Sequence, residues 1–141
     1  MAFFDKLNEI TKELADADEE QRLISESIME ALTDGIFVID SRGKILMVNK
    51  AVSSITGYEL DELLGKNIDM LIPDCRKERH KAELQAYVKN PIGRPMNEGR
   101  ELLLAKKDGR QVYVVIALNP VQMRGSKCTI AVVRLNPPHG T

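Results

Sequence analysis

At Thr33-Asp34-Gly35 the spacing of apolar residues changes from a period of about 3.5 to a period of two. The first period buries a stripe of a helix and the second buries one face of a strand, so no single element carries both. A helix therefore has to end at this point and a sheet to begin. Upstream, Phe3, Leu7, Ile10, Leu14, Ala17, Gln21, Ile24, Ile28 and Ala31 follow alternating steps of four and three, a heptad seam interrupted only by Gln21. The segment has neither proline nor glycine and is dense in Glu, Lys, Asp and Ala, which favours a helix of about thirty residues. A domain of roughly 100 residues cannot cover so long a stripe. The spacing thus predicts that residues 1–32 pair with a second copy of the chain as a homodimer, the alternative being a cap laid back on its own domain. A break is expected between Asp16 and Glu20.

Downstream, IFVID and KILMVN are two β-branched runs joined by SRG, with glycine where a hairpin needs positive φ. Short helical pieces are predicted at Lys50 to Ile55 and Glu59 to Leu64, with a turn in NIDMLIP that Pro73 closes. A longer helix follows from Asp74, as N-cap, to Lys89, and Asn90-Pro91 and Gly93 end it. RELLLAKK, the turn DG, QVYVVIALNPV, RGS and KCTIAVVRL then read as three strands. The expected class is α+β: one five-stranded antiparallel sheet with the first hairpin against the last strand, short helices on one face, and a long N-terminal helix. The domain organisation is residues 1–32 as the amphipathic helix, 33–136 as the sheet domain and 137–141 as a tail.

The 141 residues carry a formal charge of −1 with both signs interspersed, which leaves no footprint for nucleic acid or an anionic membrane surface. No run of about 18 apolar residues occurs, so a cytoplasmic location is expected. Cys75 and Cys128 lack metal-ligand or CxxC spacing and are expected as free thiols. Tyr58 and Tyr87 read as packing groups with a polar tip. Spacings for a P-loop, a zinc protease or a kinase site are absent, so no catalysis is expected.

DGIFVID, RGKILMVN, ITGYELDELLGKNIDMLIP and KKDGRQVYVVIAL, in this order, resemble a PAS domain over about Ala31 to Leu135. The resemblance implies a five-stranded antiparallel sheet curled around a pocket. Where a flavin-cysteine photoreceptor has Asn-Cys-Arg-Phe, this chain has Asn67-Ile68-Asp69-Met70, without the adduct-forming thiol. ERHKAELQAY is similar to the haem-bearing helix of the rhizobial oxygen-sensing histidine kinases and the haem-regulated phosphodiesterases. Those proteins pair a helix histidine with a strand arginine twenty positions on, the separation of His80 and Arg100.

The resemblance implies that His80 is the axial ligand of haem b, the protein's metal contact, and that a diatomic gas such as oxygen binds opposite it. Ile116 and Leu118 match the apolar distal wall, Arg100 the donor to the gas, and Arg94 a partner for a haem propionate. The methionine that the phosphodiesterases have two residues before the arginine is Glu98 here, and Met96 is the substitute sixth ligand. The sequence leaves a rival reading open, a PAS dimerisation and signal-relay module with another small ligand or none. It also leaves open whether the output is a separate partner or a domain from which this piece was excised.

Overall fold

The computed structural model describes residues 19–25, 27–28, 30–93, 100–123 and 125–136. Backbone contacts divide the chain into two units, Met1–Leu32 and Thr33–Thr141. In the first, the described residues between 19 and 31 are helical. Arg22 pairs with Glu19 one turn away and holds that carboxyl below the usual range. Leu23, Ile24 and Ile28 are exposed. The first half of the predicted seam, from Phe3 to Ala17, lies outside the described residues. So do the expected break through Asp18 and the tail with His139, whereas Glu19 and Glu20 are helical.

The second unit runs β1 (Gly35–Asp40), β2 (Ile45–Val48), α1 (Lys50–Thr56), α2 (Leu60–Leu63), two 3-10 turns (Ile68–Leu71 and Asp74–Arg76), α3 (Lys77–Lys89), β3 (Arg100–Ala105), β4 (Gln111–Met123) and β5 (Ser126–Leu135). The strands form one antiparallel sheet in the order β2-β1-β5-β4-β3, so the first hairpin lies beside the last strand as its spacing predicts. The first hairpin turns on Gly43 at φ +88°, while the Asp40 carboxylate accepts from the backbone N–H of both Arg42 and Lys44 at 2.9 Å.

Strand β4 contains Pro120, which cannot donate to a neighbouring strand. The ladder to β3 spans only Gln111 to Ile116, so beyond that point β4 has β5 alone as a paired strand and a missing donor on the other side breaks no ladder.

One difference from expectation concerns the long helix. Asp74 begins a 3-10 turn instead of capping, and the α-helix starts at Lys77. Pro73 imposes an extended entry, its carbonyl accepts the Arg76 N–H at 2.9 Å, and the resulting tight turn uses the Asp74 carbonyl for Lys77. The Asp74 side chain instead pairs with Lys77 Nζ at 2.9 Å.

Phe37, Ile39, Ile45, Val52, Leu63, Leu71, Leu104, Val114 and Val133 make the core, which sits between the inner face of the sheet and the helices. Among the described residues it encloses the polar side chains of Asn49 and Thr56, and Thr129 is nearly so. Asn49 is fully buried; its Oδ1 accepts from Ile36 N at 2.8 Å and its Nδ2 donates to Asp34 O at 3.0 Å. It ties the entry of β1 to the start of α1. Asn49→Leu would leave a buried amide and carbonyl without their partner, a loss of about 1–3 kcal/mol. Urea unfolding should show a lowered midpoint of that size, with an unchanged slope.

Candidate functional site

Helix α3 is brought to the sheet domain by a missing side chain. A Cβ on Gly43 would meet Leu84 Cδ2 at 3.2 Å, Asn67 Oδ1 at 3.2 Å and Ile68 Cγ2 at 3.3 Å, so the first hairpin turn is where α3 and the Ile68–Leu71 turn converge. Leu84 packs against the core, and His80, Leu84, Tyr87 and Val88 are the partly buried residues of one stripe of the helix. His80 therefore lies one turn before Leu84 on the inward side, with a side chain only 18% exposed. It is not an ordinary surface histidine.

Its Nδ1 is buried with no hydrogen-bond partner, and neither ring nitrogen bonds a described residue. The nearest charge is Asp69 Oδ1, at 3.7 Å, beyond hydrogen-bond reach. Asp69 belongs to the turn whose other members, Ile68 and Met70, pack on the core. The turn is fixed by Asn67, whose Oδ1 accepts from Asp69 N and whose Nδ2 donates to Arg42 O, both at 3.0 Å. Sequence reasoning missed Asp69, because only the fold places it against a residue eleven positions on.

Arg100 opens β3 directly opposite Ile116, which in turn faces Val133 of β5. Residues opposed across a ladder share a face, so Arg100, Leu102 and Leu104 project to the inner side along with Val114, Ile116 and Leu118. Leu102, Ile116 and Leu118 pack on the core, while Arg100 is exposed at the rim and makes no ion pair with a described residue. Glu101 points to the other face and accepts from Asn136 Nδ2. The structure thus puts His80, Ile116, Leu118 and Arg100 on the core-facing side of their elements. Arg94, Met96 and Glu98 lie outside the described residues.

A cavity lies elsewhere. About 230 Å³ lies between the end of α3 and the β4–β5 hairpin, lined among others by Tyr87, Pro91, Pro120, Val121 and Thr129. Among the described residues, the Tyr87 hydroxyl is the other buried polar side-chain atom without a partner. Both cysteines are free, Cys75 exposed and Cys128 buried. Among the described residues, no helix is long and apolar enough to cross a membrane.

Sheet order, helix placement and a family comparison agree. The sequence profile of the PAS fold matches residues 25–138. The chain belongs to the PAS family. As a PAS domain it is 31% identical over 121 residues to the oxygen sensor protein DosP of Escherichia coli strain K12, covering 86% of this chain and 15% of that protein. It is 25% identical to the cell-division control histidine kinase PdhS of Brucella anthropi, covering 82% of this chain and 12% of the relative. The chain thus spans under a sixth of the length of either relative. Among solved structures it resembles the PAS domain of an HTR-like protein from Haloarcula marismortui, with a TM-score of 0.69, 25% identity, and 89% of this chain and 99% of that one covered.

A buried imidazole without partners is a liability to the fold, which separates a functional histidine from a structural one. His80→Leu should change the unfolding free energy of the ligand-free protein by less than about 1 kcal/mol in either direction, since the acceptor near Nδ1, Asp69 at 3.7 Å, makes no hydrogen bond of normal length to it. A fall of more than about 1 kcal/mol in urea melts shows that the imidazole supports the fold.

Proposed function

We propose that this PAS domain is a haem-binding sensor of oxygen or another diatomic gas, with His80 as the axial ligand. The observation that carries the reading is the His80 imidazole: inward-facing, largely buried, and free of hydrogen bonds to described residues on a helix packed against the core. A neutral imidazole with an uncommitted lone pair is the donor that haem iron takes. The apolar Ile116 and Leu118 suit the opposite wall, and the name of the Escherichia coli relative points the same way. This donor set fits haem. Leu84, Met70, Ile116 and Leu118 pack against the core in this structure, so haem would enter by parting these side chains.

Haem, when bound, supplies a ferrous iron that passes electron density to a diatomic gas, more to oxygen than to carbon monoxide. The residues then divide the work. His80 anchors through a ring nitrogen, and Ile116 and Leu118 exclude water. Arg100, on the inner face and unpaired among the described residues, donates a charge-assisted hydrogen bond to the more negative gas. Arg94 is assigned to a propionate and Met96 to the sixth position in the gas-free state. Ligand state is relayed as a shift between two arrangements of the domain, which an output element outside this chain reads.

The rival reading, a relay module without haem, is favoured by one observation: Met70, Leu84, Ile116 and Leu118 pack against the core where haem would lie, and the cavity of about 230 Å³ is elsewhere. Visible spectra decide between the two. The purified protein with haemin should develop a Soret band that His80→Ala abolishes; no band in the parent establishes the rival. Arg100→Ala should weaken oxygen affinity about ten- to a hundredfold, the worth of one charge-assisted hydrogen bond, and carbon monoxide affinity far less. Equal responses to both gases remove Arg100 from the mechanism.

We assign the N-terminal helix to homodimer formation, supported by Ile24 and Ile28 standing 56% and 54% exposed on consecutive turns. Ile24→Glu with Ile28→Glu should convert dimers to monomers by light scattering. An unchanged mass places the contact elsewhere.

A further inference from the structure

We propose that Asp69 is a positioning residue for His80. Its carboxylate takes the Nδ1 hydrogen, holds the ring in the Nδ1–H tautomer, and leaves Nε2 with a bare lone pair. The purpose rests on the reading of His80 as an iron ligand, but the tautomer exists without iron.

Three observations converge on the pair. Nδ1 is buried with no partner, so a hydrogen there is unsatisfied until an acceptor reaches it. The Asp69 carboxylate is that acceptor, 3.7 Å away, about an ångström from a charge-assisted bond and within the sweep of a side-chain rotation. On α3 Lys77 pairs with Asp74 at 2.9 Å and Arg79 with Glu83 at 3.2 Å, and Asp69 makes no ion pair with any described residue other than its approach to His80.

The backbone of Asp69 is held independently of the side chain. Its N–H donates to Asn67 Oδ1 and its carbonyl accepts from Ile72 N, both at 3.0 Å. The carboxylate, 41% exposed, can therefore turn without disturbing the turn that carries it. Which imidazole nitrogen binds a metal is set by the hydrogen bond that the other one makes. A carboxylate in that role also makes the ligating nitrogen a stronger donor, and its loss typically costs about 10- to 100-fold in affinity.

The first test needs no haem. Long-range ¹⁵N–¹H correlation spectra of the full chain, at a pH where the ring is neutral, should show His80 protonated at Nδ1, and Asp69→Ala should move the population to Nε2–H. A parent already in the Nε2–H form, or a tautomer indifferent to Asp69→Ala, overturns the proposal whatever haem does.

The second test uses the haemin-reconstituted protein. Asp69→Asn keeps an acceptor oxygen but loses the charge, so it should retain haem while lowering the iron–imidazole stretching frequency and raising the iron's reduction potential. Asp69→Ala should also lose about 10- to 100-fold in haem affinity. A parent whose Soret band disappears in His80→Ala, with a stretch and potential unmoved by either Asp69 variant, sinks the role of Asp69 and leaves the axial histidine standing. A parent that takes no haem, while His80 still follows Asp69 in its tautomer, keeps the pairing and refutes the gas sensor.

Discussion

The pairing of the first strand with the last is the constraint on which the sheet domain depends. Six residues of β1, Gly35 to Asp40, lie against Val133 to Cys128 of β5, about ninety positions on, and the helices between them in the sequence have to leave the sheet and the chain to return to it. Such a contact costs loop entropy before it yields anything. Its stabilisation comes from burial: Phe37 against Ala131 and Gly35 against Val133 place the middle of the core on these two strands. At the open end the Arg134 guanidinium holds the Asp34 carboxylate with two hydrogen bonds of 3.0 and 2.8 Å. Asn49 then fastens the first helix to the same strand entry, so the helices inherit their positions from one seam.

Much of the fold was legible because the sheet writes itself in a period of two. The three glycine turns, the strand runs and the placement of the first hairpin beside the last strand follow from spacing and from the PAS resemblance together. The 3-10 turn at Asp74–Arg76 was not legible, because an N-cap aspartate and an aspartate inside a proline-led turn look alike until the Pro73 carbonyl has chosen its donor. Tyr87 was readable as a packing residue, but not that its hydroxyl would be enclosed without a partner, since that depends on atoms of the β4–β5 end.

The site divides in the same way. Ile116 and Leu118 share a face by strand period alone, and the inward direction of His80 follows from its helical spacing to Leu84. That Arg100 projects inward required the register, because a slip of one residue against β4 would have turned it to the opposite face. Asp69 could not be found from spacing at all. Its approach to His80 is a product of Gly43, whose bare backbone lets the turn and the helix close on one point.

The two margins of the sheet are unequal. The outer side of β2 is occupied, since Ile45 N donates to Lys66 O at 2.8 Å and Gly65 N to Ile45 O at 2.9 Å. Strand β3 has only β4 as a paired strand, so its other edge leaves backbone N–H and C=O groups open to any passing extended chain along the leucines at 102, 103 and 104. Charges bracket that run on both sides, Arg100 and Glu101 before it and Lys106 and Lys107 after it. Arg100 thus stands both at the free edge of the sheet, where a charge disfavours edge-to-edge pairing, and at the rim of the inner face.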